Sequence, residues 1–261
     1  MPLAYYSRAA TEAFWAEHWA GHDTSDLVEI ARTSPLTAII EAALPASGRI
    51  LEAGCGLGQY VVLMRERGRS ATGADWSLDA LRRCRAAAPD TPLAAMDLAC
   101  LAIASGRVDA YVSLGVVEHD PAGPDRVLAE AARVLAPRGR LILSVPYWNG
   151  VRKVGAIPLR RQGRRIRAAG GDFYQYAFSR GEVRTALQAH GFRVLSFHPY
   201  DPARMLRPFL RQLAGRGTLS AGGGGPAPTP GRDVSVLRRV LYSGPVLRMC
   251  AHMLLAVAER A

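Results

Sequence analysis

Lysine is almost missing from this chain: one, Lys153, stands among 33 basic residues, and the rest are arginine. In an alanine-rich sequence that bias reads as a compositional habit, and a solvated basic surface accounts for most of the net charge of +11. A positive field still favours anionic partners. Cysteine is scarce too. Cys55, Cys84, Cys100 and Cys250 are scattered and form no Cys-x-x-Cys pair, which excludes a zinc site or disulfide framework and leaves four free thiols. Long apolar runs are also lacking. The most apolar window, 249–258, is too short to cross a bilayer and includes His252. The first residues show no charged start, apolar stretch or cleavage site of a signal peptide, so a soluble, cytoplasmic protein is expected. Internal repeats are absent.

What is present is enough apolar material, 49% of 261 residues, to build one large α/β core. Residues 4–45 read as helical, with Phe14, Trp15 and Trp19 at helical spacing and Thr24-Ser25-Asp26 as a cap. From Arg49 short apolar runs alternate with helical stretches. Strands are expected at Arg49–Glu52, Ser70–Asp75, Pro92–Met96, Val108–Ser113 and Arg140–Val145, with helices at Gln59–Arg67, Ser77–Ala88 and Asp125–Leu135. That rhythm implies a parallel sheet covered on both faces. A helix, Arg180–His190, then ends at Gly191, followed by a sixth strand, Phe192–Phe197. Met253–Ala258 offers a seventh. The domain reading is a helical cap over 1–47 and one domain over 48–261. Insertions lie at about 147–177 and 202–250, the latter with a flexible Gly/Pro-rich stretch at 218–232.

Chemistry concentrates at strand ends. The turn Glu52-Ala53-Gly54-Cys55-Gly56-Leu57-Gly58 follows a strand and opens a helix, the setting in which glycines let a ligand approach the backbone. Its spacing is Gly-x-Gly-x-Gly, and Gln59 stands beyond it, so the dinucleotide fingerprint Gly-x-Gly-x-x-Gly is not met. Asp75 closes the second strand, seventeen residues after Gly58, where a carboxylate can accept two hydrogen bonds from a ribose diol or cap a helix. Asp97 ends the third strand, placed for an adenine amino group or simply for the surface.

Taken in order, Ile50–Gln59, Gly73–Ser77, Met96–Leu98 and Val108–His119 resemble the motifs of class I S-adenosylmethionine-dependent methyltransferases, closest to the small-molecule branch often called type 11. Arg133–Val145 resembles that family's helix, turn and fifth strand, with Pro-Arg-Gly where Pro-Gly-Gly is usual. The resemblance covers about residues 48–200, and Met253–Ala258 resembles the antiparallel last strand. It implies a Rossmann-like doubly wound seven-stranded sheet of order 3-2-1-4-5-7-6 and S-adenosyl-L-methionine as cofactor. Glu52 and the backbone of Gly54, Gly56 and Gly58 would face the donor's methionine part. Asp75 would take the ribose, Trp76 would lie along the adenine, Asp97 with Leu98 would bind its edge, and Leu114 would line the pocket. Glu118 and His119 would face the reacting methyl. His119 is the candidate base near neutral pH, unless the pair only holds its loop. The resemblance leaves a divalent metal at the Glu118-His119 segment open, and no residue is assigned as a metal ligand.

The acceptor side is less defined. Tyr147, Trp148, Phe173, Tyr174, Tyr176 and Phe178 could line an acceptor pocket or pack the core, and the cations from Arg152 to Arg167 could hold an anion or only face solvent. Residues 203–250 mix apolar positions with arginine, which suits a peripheral membrane or lipid-like contact, a partner, or a lid. A small-molecule acceptor methylated on oxygen is expected. Nucleic acid is disfavoured because Gly115-Val116-Val117-Glu118-His119 replaces the Asn/Asp-Pro-Pro-aromatic segment of base-amino enzymes. Rival readings are an RNA methyltransferase, a nicotinamide enzyme and a non-catalytic donor-binding module.

Overall fold

The computed structural model describes residues 2–205 and 239–261. Its centre is a seven-stranded sheet. β2 (Arg49–Ala53), β3 (Ser70–Asp75), β4 (Leu93–Ala95), β5 (Val108–Leu114) and β6 (Leu135–Pro146) run parallel. β9 (Met253–Arg260) inserts antiparallel between β6 and β8 (Phe192–Tyr200). Numbered among themselves, the seven strands lie in the order 3-2-1-4-5-7-6. This is the expected sheet. Its central strands are mostly apolar and buried because both faces are covered, the pattern that distinguishes such sheets from one-sided antiparallel ones.

Alternation along the strands divides the core. Leu51, Tyr111, Leu141 and Leu143 face α6 (Asp125–Val134) and α9 (Arg180–Ala189). Ile50, Val112, Ile142 and Val257 face α2 (Thr24–Thr33), α3 (Pro35–Ala43) and α4 (Gln59–Glu66). In α6 the stripe Val127, Leu128, Ala131 and Val134 is buried, while Glu130 turns outward to pair with Arg133 at 2.7 Å. α9 begins with a capping box, in which Ser179 and Glu182 each take the other's backbone N–H. α5 (Leu78–Ala87) is capped by Ser77 as expected. α2 is capped by Asp23 one residue earlier than expected, which frees Thr24 to donate to the Leu57 carbonyl at 3.1 Å.

The N-terminus departs from the expected helices. Leu3–Ser7 is a strand, β1, paired antiparallel with β7 (Asp172–Ala177), a strand inside the stretch after the fifth parallel strand. Tyrosines and phenylalanine at these positions favour a pleated ribbon, and Tyr6 packs edge-on to Phe173 with centroids 6.2 Å apart. Helical periodicity cannot see such a pairing, because its partner lies far along the chain. Helix α1 (Glu12–Ala20) follows, capped by Thr11 and with no buried residue. Between β6 and β7 run two helices, α7 (Gly150–Val154) and α8 (Ala156–Ala168), and α10 (Gly244–Cys250) precedes β9. β6 also starts earlier than expected, at Leu135, so Pro137-Arg138-Gly139 forms an irregularity within it. The expected flexible stretch at 218–232 lies outside the described residues, as does most of 203–250.

Candidate active site

Because β2 to β5 are parallel, their C-terminal ends meet along one edge, and every expected donor residue sits there. The glycine turn is fastened to the neighbouring strand: the N–H groups of Gly54 and Cys55 both donate to the Ala74 carbonyl, at 2.7 and 3.1 Å. Asp75 completes the strap. Its Oδ2 accepts the Gly56 N–H at 2.8 Å and its Oδ1 the Ser77 N–H at 2.9 Å, in a position only 8% exposed. Burial raises its pKa, opposed by the backbone N–H groups of Ser77, Gly56 and Trp76. Each oxygen keeps a second lone pair, so the capping and the ribose-binding readings of Asp75 are compatible.

All three glycines of the turn are sterically required. Gly54 has φ +80°, and a Cβ there would lie 2.3 Å from Val116 Cγ2, just beyond β5. Gly56 has φ +53°, and its missing Cβ faces the Trp19 ring of α1 at 2.8 Å. Gly58, also left-handed, caps α4. Glu52 lies beneath the turn, 3% exposed; burial raises its pKa to about 8, opposed by the Val61 N–H, and its Oε2 has no partner. A glycine turn, a strapped carboxylate with spare lone pairs and an orphaned buried oxygen fit a donor carrying an ammonium, a ribose and an adenine.

The remaining expected positions lie along the same edge. Asp97 is exposed and its Oδ1 accepts the Ala99 N–H at 2.9 Å, which shapes the loop after β4. Leu98 is buried and Leu114 half-buried. Trp76 is 52% exposed, a large apolar ring left open beside the turn.

Glu118 and His119 stand in a 3-10 turn, Val117–His119, directly after β5. His119 Nδ1 is 2.8 Å from the Tyr174 carbonyl of β7. A carbonyl only accepts, so Nδ1 carries the proton and Nε2 presents its lone pair. Burial lowers the His119 pKa, which keeps the ring neutral at physiological pH. Nε2 faces Glu118 Oε1 at 3.9 Å. Glu118 is 2% exposed, with its pKa pushed up to about 8 by burial and its Oε2 without a partner.

Aromatic side chains surround the histidine. Trp15 and Tyr174 pack against its ring with centroids 5.0 and 5.1 Å away, and Phe14 packs on Tyr174. Of the aromatics expected near the acceptor, Tyr174 alone touches His119 among the ring contacts. Tyr147 and Phe178 are buried in the core, and Trp148 lies under Arg160. The sequence reading missed Trp15, Trp19 and Val116 as site residues. The signal was there in Phe14, Trp15 and Trp19, three large rings on a helix with no apolar face of its own to bury.

Residues 51–143 match the family model described as a methyltransferase domain. A probable S-adenosylmethionine-dependent methyltransferase of Mycolicibacterium smegmatis is 33% identical over 99 residues, 37% of this chain and 37% of that protein. A tRNA (carboxymethyluridine(34)-5-O)-methyltransferase of Macaca fascicularis is 30% identical over 133 residues, 49% of this chain and 19% of that one. The chain therefore spans little more than a third of the first of these relatives and a fifth of the second. Solved S-adenosylmethionine-dependent methyltransferases share the fold. One from Mesorhizobium loti has a TM-score of 0.58 at 20% identity, over 88% of this chain and all of that one. Another from Archaeoglobus fulgidus has a TM-score of 0.59 at 13% identity, over 95% and 99%. Residues 51–143 are thus similar to the methyltransferase-domain family, and the fold is that of solved S-adenosylmethionine-dependent methyltransferases.

Proposed function

We propose that the chain transfers a methyl group from S-adenosylmethionine to a hydroxyl of a small-molecule acceptor, with His119 as the base. When bound, the donor supplies an electrophilic methyl on a sulfonium. The chain supplies position and a proton acceptor. Gly54, Gly56 and Gly58 would hold the methionine part, Asp75 the ribose and the Trp76–Leu98 edge the adenine, so that the methyl points toward the turn after β5. An in-line displacement draws much of its rate from such placement.

The observation that carries the choice of oxygen is the His119 hydrogen bond to the Tyr174 carbonyl. It leaves Nε2 as a neutral proton acceptor in a site where a hydroxyl must lose its proton to become a nucleophile. The relative from Macaca fascicularis is named for a methylation on oxygen, which agrees with that choice. The same name is the observation that favours the second reading, an RNA acceptor.

A screen of hydroxylated small molecules with radiolabelled donor tests the reading. Label transfer to an acceptor is expected, and His119→Ala should lower kcat by about a hundredfold or more while donor affinity stays within about twofold. An acceptor turned over equally well by H119A would remove the base from the mechanism.

A further inference from the structure

α7 and α8 form a basic shelf that the donor site does not use. From Gly150 to Gly171 the sequence holds seven cations and no carboxylate. The fold absorbs three of them. Arg152 is buried and donates to the Tyr147 and His252 carbonyls, Arg160 lies over the Trp148 ring, and Arg167 lies over Tyr6. Lys153, Arg161, Arg164 and Arg165 are exposed, and none makes an ion pair among the described residues.

The helix orients them. Leu159, Gly163 and Ile166, four and three residues apart, are its less exposed side, and Gly163 sits against Tyr6 and Ala4 of β1. The opposite side, by helical geometry, is Ile157, Arg161, Arg164 and Arg165. Exposed aliphatic groups accompany the cations: Val154 is 84% exposed, Ile157 67% and Val151 45%. Met249 of α10, itself exposed, packs on Gly150 and extends the apolar part.

We propose that this face docks on the surface of an anionic lipid bilayer. Unpaired cations would meet lipid phosphates, and the aliphatic side chains of α7 and the first turn of α8 would enter the headgroup boundary. Branched aliphatics interleaved with arginine suit acyl chains, whereas single-stranded nucleic acid draws on exposed aromatic rings for stacking, and α7 and α8 carry none. No helix among the described residues is long and apolar enough to cross a membrane, so the contact is peripheral. Apart from Met249, it uses different residues from the 203–250 segment.

Flotation of the full chain with vesicles of phosphatidylcholine alone, and of phosphatidylcholine with about a third phosphatidylglycerol, tests the proposal. Binding is expected to the anionic vesicles only and to weaken with salt. R161E/R164E/R165E should lose at least about tenfold in partitioning, and V154D/I157D should release the chain at salt concentrations the parent withstands. Both variants should keep the parent's melting temperature and donor affinity, which separates a lost surface from a lost fold. Failure of the parent to bind anionic vesicles overturns the proposal, as does full binding by the triple variant. Retention of single-stranded RNA in place of vesicles, lost in the same triple variant, overturns it in favour of a nucleic-acid surface.

Discussion

Glu52 and Glu118 are buried carboxyls whose pKa values burial raises to about 8. Between their ordinary range and pH 8 the folded chain therefore binds more protons than the unfolded one, so stability falls as pH rises through that window. Four histidines act in the opposite sense. Burial lowers His18, His119, His198 and His252, so their contribution is present above their ordinary value of 6.5 and lost as pH falls below it. From pH 6.5 to 8 the donor-free chain should lose about 1 kcal/mol per pH unit for each of these carboxyls. Thermal unfolding across that window is expected to show the decline, and Glu118→Gln to flatten it by about half. A melting temperature rising toward pH 8 would mean that these carboxyls are solvated. Arg138 is a second residue-scale test. It holds φ +62° in an exposed turn, where the family resemblance puts glycine. Left-handed backbone costs a non-glycine residue about 1–2 kcal/mol, partly offset by the extra unfolded freedom of glycine. Arg138→Gly should thus raise stability by up to about 1 kcal/mol in denaturant titration, and a loss would show that the arginine makes contacts worth more than the strain.

At the scale of elements, sequence legibility followed the range of the interaction. The strands from β2 to β6 and helices α4, α5, α6 and α9 were readable because each carries its own period, cap or breaker, as with Ser77 and Gly191. The site edge was readable for the same reason: Gly54, Asp75 and Glu118 each sit at the end of a locally marked strand. The ribbon of β1 and β7 was not readable, since Tyr5 and Tyr6 gain their strand only from partners about 170 residues away. That ribbon bears on the site because the Tyr174 carbonyl in β7 fixes the His119 tautomer. Removing residues 2–8 should therefore lower turnover about tenfold or more through a loosened His119, with donor affinity unchanged. Equal losses in both would assign the ribbon to general folding rather than to the histidine.

For the whole molecule, one sheet edge gathers the glycine turn, the Glu118–His119 turn and the aromatic helix α1, while the arginine-rich α7 and α8 sit behind β1. The net charge of +11 is thus unevenly used. Part of it is structural, as in Arg152, and part lies in an unpaired patch that composition alone could not separate from ordinary solvated arginine. Asp75 and the glycine turn are proposed as the methyl-donor site. Calorimetric titration of the chain with S-adenosylmethionine, and of Asp75→Ala beside it, tests that most directly. One donor per chain is expected, with affinity in the variant weaker by about 1–3 kcal/mol, the range for losing charge-assisted hydrogen bonds. Binding unchanged by the substitution, or no binding by the parent chain, would contradict the account.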